Sequence, residues 1–329
     1  MNHFLKKYKN SYFSYFLMYN FYYLSWALFS ALISVYLMGK GFKASQVSLV
    51  VSASFLASMV TQPVIGTWND KYDMKKIDTA LFLIACGGGI IFMLSDSLVM
   101  IAASYSLVLV MINGVNPVME KLATTSPYPY GKIRIWGTIG YALGSQMAGI
   151  IYDNLSPEAV FAAFVLTMLL CVAGLLGTEP EAGNHKQEKG EKTSILDLFK
   201  NGKYVYYLCL CVIFYGITNM SNVFIPSMLT DKGLDVKAAS LVLSIAVFCE
   251  APLVLFSYRF MDKIANKTLL FAAVGMVCVQ CAGYGFNLPM PFIILATLIA
   301  KHPAGMLYIM VNLKVVNTLI DEKQQITPL

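Results

Sequence analysis

Long apolar runs, interrupted by short polar breaks, follow one another along almost the whole chain. A helix needs about 20 mostly apolar residues to cross a bilayer core. By that measure the pattern predicts spans at 12–38, 45–68, 77–95, 97–119, 133–152, 158–177, 204–229, 238–260, 267–286 and 290–319. Six precede the polar stretch 178–203 and four follow it. The expected organisation is therefore a six-helix bundle over 1–177, a linker over 178–203 and a four-helix bundle over 204–329. The linker is polar and of mixed charge, then turns amphipathic at Ser194-Ile-Leu-Asp-Leu-Phe199, as a short helix lying on a membrane surface would.

The pattern repeats itself. LMGKGFKASQVSLVVS at 37–52 aligns with LTDKGLDVKAASLVLS at 229–244 at a constant offset of 192, which brings Lys40–Gly41 onto Lys232–Gly233. The same offset carries Asp70–Lys71 onto Asp262–Lys263 and Lys75 onto Lys267. A duplicated six-span unit places both halves in the membrane in the same orientation, as parallel-repeat transporters do. Arg134, which opens the fifth span, maps to position 326, so the second copy breaks off before its own fifth helix. The expectation is a twelve-helix plan with ten helices present; a ten-helix protein is the rival.

Composition agrees on the solvent. Hydrophobic residues make up 57%, charged residues 13%, and mean hydropathy is +0.64. If the N-terminus is cytoplasmic, nineteen Lys and Arg fall on inner segments, whereas only Lys40, Lys43, Lys232 and Lys237 fall on outer loops. That asymmetry predicts a multi-pass protein of the cytoplasmic membrane with both termini inside. The net charge of +6 then faces anionic lipid rather than nucleic acid. All seven cysteines fall within spans, which argues against a disulfide framework. Cys278-x-x-Cys281 has no histidine partners and reads as packing. No phosphate loop, nucleophile elbow or metal-ligand cluster appears, so neither an enzyme nor a cofactor is expected. Gly140-x-x-x-Gly144 and Gly149 read as close helix contacts.

Gly66-Thr-Trp-Asn-Asp70-Lys71-Tyr-Asp73-Met-Lys75-Lys76 resembles the loop signature of the major facilitator superfamily, with Asp73 where that family usually has a second glycine. The resemblance implies two helical bundles rocking about a central cavity, with Gly66, Asp70, Lys71, Lys75 and Lys76 as a gating loop or a topology anchor. A narrower likeness, to the lactose permease and nucleoside–proton symporter branch, runs through Pro117-Val-Met-Glu120 and Tyr130-Gly-Lys-Ile-Arg134-Ile-Trp-Gly-Thr-Ile-Gly-Tyr141. It implies that Glu120 and Arg134 grip solute hydroxyls, that Tyr141 stacks on a sugar-like ring, and that Glu250 adds an acidic contact. The branch's proton relay does not carry over. Gln280 replaces its arginine, Ala304 stands where its carboxylate belongs, and Lys301 and His302 lie near its histidine position.

Ionisable groups inside spans are costly to bury and usually functional. Glu250 lies deep in an uncharged run and suits a proton carrier; His302, before Pro303 where a helix disruption would line a cavity, is the second candidate for proton coupling. Glu120 and Arg134 read either as solute ligands or as an ion pair at the inner interface. On the first span, Tyr19, Asn20, Tyr23 and Trp26 make an amphipathic aromatic face suited to a polar ring, though lipid-facing packing explains them nearly as well. Asn113 and Asn116 share a face of the fourth span and offer cavity hydrogen bonds.

The expectation is an all-α membrane protein of the two-bundle type, moving a small polar organic solute, sugar- or nucleoside-like, together with protons. It would work among membrane lipid, as a monomer. An exporter of hydrophobic compounds on the same fold and a non-transporting remnant are the alternatives.

Overall fold

The computed structural model describes residues 8–179, 202–261, 263–286 and 288–319, and every regular element among them is a helix. The helices are α1 Tyr12–Ser30, α2 Ile33–Gly39, α3 Ala44–Lys71, α4 Met74–Leu94, α5 Leu98–Thr124, α6 Tyr130–Asn154, α7 Ala159–Gly177, α8 Gly202–Asp231, α9 Val236–Phe248, α10 Ala251–Leu255, α11 Ser257–Phe260, α12 Asn266–Gly285 and α13 Met290–Leu319. Among the described residues, nine stretches are long and apolar enough to cross a membrane, and α6 is of comparable length but more polar. Most of the predicted linker, and Asp262 in the second copy of the loop motif, lie outside the described residues.

Two predicted spans are broken. The first divides at Ala31–Leu32, where Ser30 turns its hydroxyl back onto the Trp26 carbonyl at 2.8 Å. The eighth divides at Cys249–Glu250, and Pro252 supplies the reason: its ring clashes with the carbonyl four residues back, at Phe248, where α9 ends. Pro303 behaves differently, since α13 runs through it without interruption and the disruption expected there does not occur. Membrane helices tolerate proline where neighbouring groups satisfy the freed carbonyl.

The repeat is visible in local geometry. Gly41 and Gly233 both have positive φ, +90° and +104°. Gly41 N–H bonds the Met38 carbonyl and Phe42 N–H that of Leu37; Gly233 bonds Thr230 and Leu234 bonds Leu229. Each pair differs by the offset of 192 seen in the sequence. Both loops close a helix with the left-handed glycine that such a C-terminus requires.

Contacts divide the described chain into two compact units, residues 8–179 with Val223–Ser244, and residues 202–222 with Ile245 onward. In the first unit α1 is the central element, packed against α6 and α7, while α3 lies on α5 and α4 contacts both α5 and α7. The face of α1 carrying Tyr15, Met18, Tyr19 and Tyr22 is fully buried. Close approach depends on small residues: a Cβ at Gly140 would collide with the Asn20 carbonyl, and one at Gly144 with the Leu24 carbonyl. The far end of the unit is filled by rings, with Phe29 stacked on Tyr105 at 5.3 Å and set against Phe92, Phe161 and Phe164. The second unit has a smaller core built on α12 and α13, with Phe214 stacked on Tyr308 at 3.8 Å.

Candidate functional site

Residues on three helices of the first unit converge at Glu120. Tyr19 and Tyr23, four apart on α1, share one face of that helix, and Tyr130 and Arg134, four apart on α6, share another. Glu120 reaches them from the last turns of α5. Tyr19 donates to Glu120 Oε1 at 2.6 Å and Tyr23 to the same oxygen at 3.0 Å. Tyr130 donates to Oε2 at 2.9 Å. Arg134 Nε lies 3.8 Å from Oε1, and its guanidinium carbon sits 5.5 Å from the Tyr23 ring centre and 6.0 Å from that of Tyr19. Glu120 and Arg134 are each about one-third exposed, enough to meet a solute. Trp26 continues the ring surface, stacked on Tyr23 at 6.0 Å.

Other candidates serve the frame around this cluster. Asn20 is buried and donates to the Trp136 carbonyl at 3.1 Å, tying α1 to α6. Trp136 Nε1 donates to Tyr12 Oη at 2.7 Å, and Tyr12 donates to the Lys132 carbonyl at 2.9 Å. Asn113 donates to Ser58 Oγ at 3.1 Å across α5 and α3. Asn116 is half-buried on α5, and Tyr141 is half-buried two turns beyond Arg134 on α6.

The second unit holds another polar group. Glu250 occupies the break between α9 and α10, and its Oε2 lies 3.8 Å from His302 Nδ1. The opposite ring nitrogen, Nε2, is 2.9 Å from Lys301 Nζ. Lysine, imidazole and carboxylate therefore form one contiguous chain.

In the loop motif, Gly66, Asp70 and Lys71 are exposed on α3, and Lys75 and Lys76 open α4. Asp73 caps α4, accepting from Lys75 N at 3.1 Å and Lys76 N at 3.3 Å. Its departure from the glycine pattern thus has a local purpose. Sequence reasoning did not single out Asp78, which is fully buried on α4 and accepts from Asn69 Nδ2 at 3.1 Å. Tyr130 was also missed, though it stands in the quoted motif four residues before Arg134. Among the described residues, no group of three His, Cys, Asp or Glu side chains is placed to hold a metal.

Membrane-length helices, an internal repeat and partly exposed polar clusters within the helical units fit a multi-pass membrane transporter. The chain belongs to the Major Facilitator Superfamily, which it matches over residues 15–323. It is similar to the maltose permease of Geobacillus stearothermophilus, 23% identical over 93% of this chain and 80% of that protein. It is also similar to the sucrose permease of Escherichia coli, 22% identical over 83% of this chain and 71% of that one. Two crystal structures of the nucleoside transporter NupG share the fold, with TM-scores of 0.84 and 0.80 at 14% and 15% identity. They cover 95% of this chain and 85% and 84% of theirs.

Proposed function

We propose that the protein moves a sugar- or nucleoside-like solute across the cell membrane by proton symport, with both termini in the cytoplasm. The observation that carries this reading is the Glu120–Arg134 pair set against the rings of Tyr19, Tyr23 and Trp26. A polyhydroxylated ring offers donors and acceptors at its edge and an apolar face. A carboxylate, a guanidinium and aromatic rings on one surface meet each of these. Arg134 matters as arginine, since its planar fork can give two parallel donors to one solute.

Proton handling falls to Glu250, His302 and Lys301. With a lysine ammonium donating to Nε2, the neutral imidazole carries its proton on Nδ1, the atom facing Glu250. Proton arrival at the carboxylate then changes the charge of the whole chain by one. The names of the similar permeases and of NupG favour a sugar or a nucleoside as the cargo.

Purified protein in liposomes tests the reading. An imposed inward proton gradient should drive accumulation of maltose, sucrose or uridine, and an uncoupler should abolish it. Equal uptake of all three with and without the gradient contradicts symport. Orientation is tested separately in a cysteine-free background. A membrane-impermeant reagent should label Ser45→Cys in intact cells and leave Tyr72→Cys unlabelled; the reverse pattern inverts the topology.

A further inference from the structure

The geometry points to Tyr130 as a specificity-determining residue, a built-in competitor of a solute hydroxyl for Glu120 Oε2. This rests on the reading of Glu120 as a solute ligand. An ionised carboxylate accepts about four hydrogen bonds. Tyr19 and Tyr23 fill Oε1, beside Arg134 at 3.8 Å, and Tyr130 occupies Oε2. Left alone, the protein fills about three of these four positions, and the one that remains is on Oε2 beside Tyr130.

The three phenols are not equally held. Tyr19 is fully buried within the packed face of α1, and Tyr23 leans on Tyr19 and Trp26. Tyr130 is 41% exposed and is the first residue of α6, directly after Pro129. It can swing away without moving any packed helix. Oε2 is therefore the position at which an incoming donor competes with a protein donor.

Removing the Tyr130 hydroxyl has a consequence opposite in sign to ordinary damage. Tyr130→Phe removes the protein's donor to Oε2, so a solute hydroxyl meets no competitor there, and affinity should rise by about three- to tenfold. A methylated analogue, with no hydroxyl to offer Oε2, gains nothing. Tyr19→Phe removes a donor held within the packed face of α1 and weakens binding instead.

The experiment measures equilibrium binding of maltose, sucrose and uridine, and of an O-methylated analogue of whichever binds, to purified protein in nanodiscs. Tryptophan fluorescence is the readout, since Trp26 stacks on Tyr23 of the cluster. In parallel, labelling of Glu120 by a water-soluble carbodiimide with an amine is quantified by mass spectrometry without solute; Tyr130→Phe should raise it several-fold. Tighter binding confined to the hydroxylated solute, with increased labelling, supports the inference. Unchanged or weaker binding in Tyr130→Phe overturns it, provided that Glu120→Gln lowers affinity. If Glu120→Gln leaves affinity intact, the reading of Glu120 as a ligand falls first. If no probe binds, the sugar-or-nucleoside reading fails, and unchanged labelling then overturns the shielding role of Tyr130 as well.

Discussion

The two polar clusters, one in each compact unit, are built on opposite plans. Around Glu120 the carboxylate meets three phenols, and the nearest cation, Arg134, stands 3.8 Å off and spreads its charge over two rings. Around Glu250 the neighbours are ionisable groups arranged in series, Glu250 to His302 to Lys301. The neighbours of Glu120, phenols and a guanidinium, keep their protonation near neutral pH, whereas the imidazole beside Glu250 is a group that changes it. The first plan suits recognition by hydrogen bonds at constant charge. The second suits a step in which charge changes. The difference also runs through the backbone, because Tyr19 and Arg134 lie within continuous helix, away from any break, whereas Glu250 sits at a proline-made break.

The comparison can be broken hardest at the frame. Gly140→Leu would place a side chain where the Asn20 carbonyl lies and drive α1 from α6. Folded, monodisperse protein should be lost, as fluorescence-detected size-exclusion chromatography would show. Full recovery of folded protein would mean that α1 and α6 need no close approach. Next in size is Arg134→Lys, which keeps the charge but loses the fork and the ring contact. Half-saturation should rise about tenfold or more with little change in maximal exchange rate. An equal fall in both would place Arg134 in the transport step instead. Smallest is Asp73→Ala, which removes the α4 cap at a cost of about 1 kcal/mol. A thermal shift assay should find the melting temperature lower by a few degrees, with solute affinity unaltered; altered affinity would give the loop a larger role than capping.

Much of the fold was legible because bilayer thickness dictates span length, and a run such as 158–177 has no other use. The offset of 192 paired Gly41 with Gly233, and the two stand in equivalent turns that end a helix. The break at Glu250 was in principle readable, since Ala251–Pro252 marks it, but Pro303 carries the same signal inside an intact helix. Only the surroundings of each proline separate the two cases. Glu120 and Arg134 were candidates from their spacing to a family motif. Tyr130 and Asp78 were not, for a physical reason: each matters through a partner on another helix, and nothing local records that contact. His302 was chosen for its place before Pro303 and near the family's histidine position; the helix runs on through Pro303, and Lys301 is in direct contact with His302.

The account stands or falls on the division of labour between the clusters. The direct measurement sets Glu250→Gln beside the parent in proteoliposomes, comparing gradient-driven accumulation with equilibrium exchange of the same solute. Glu250→Gln should lose accumulation by at least about tenfold, since a neutral amide carries no proton, while exchange stays within about threefold of the parent. Accumulation against a gradient at the parental level would show that Glu250 does not couple protons to solute. The second cluster would then have no claim to a plan of its own.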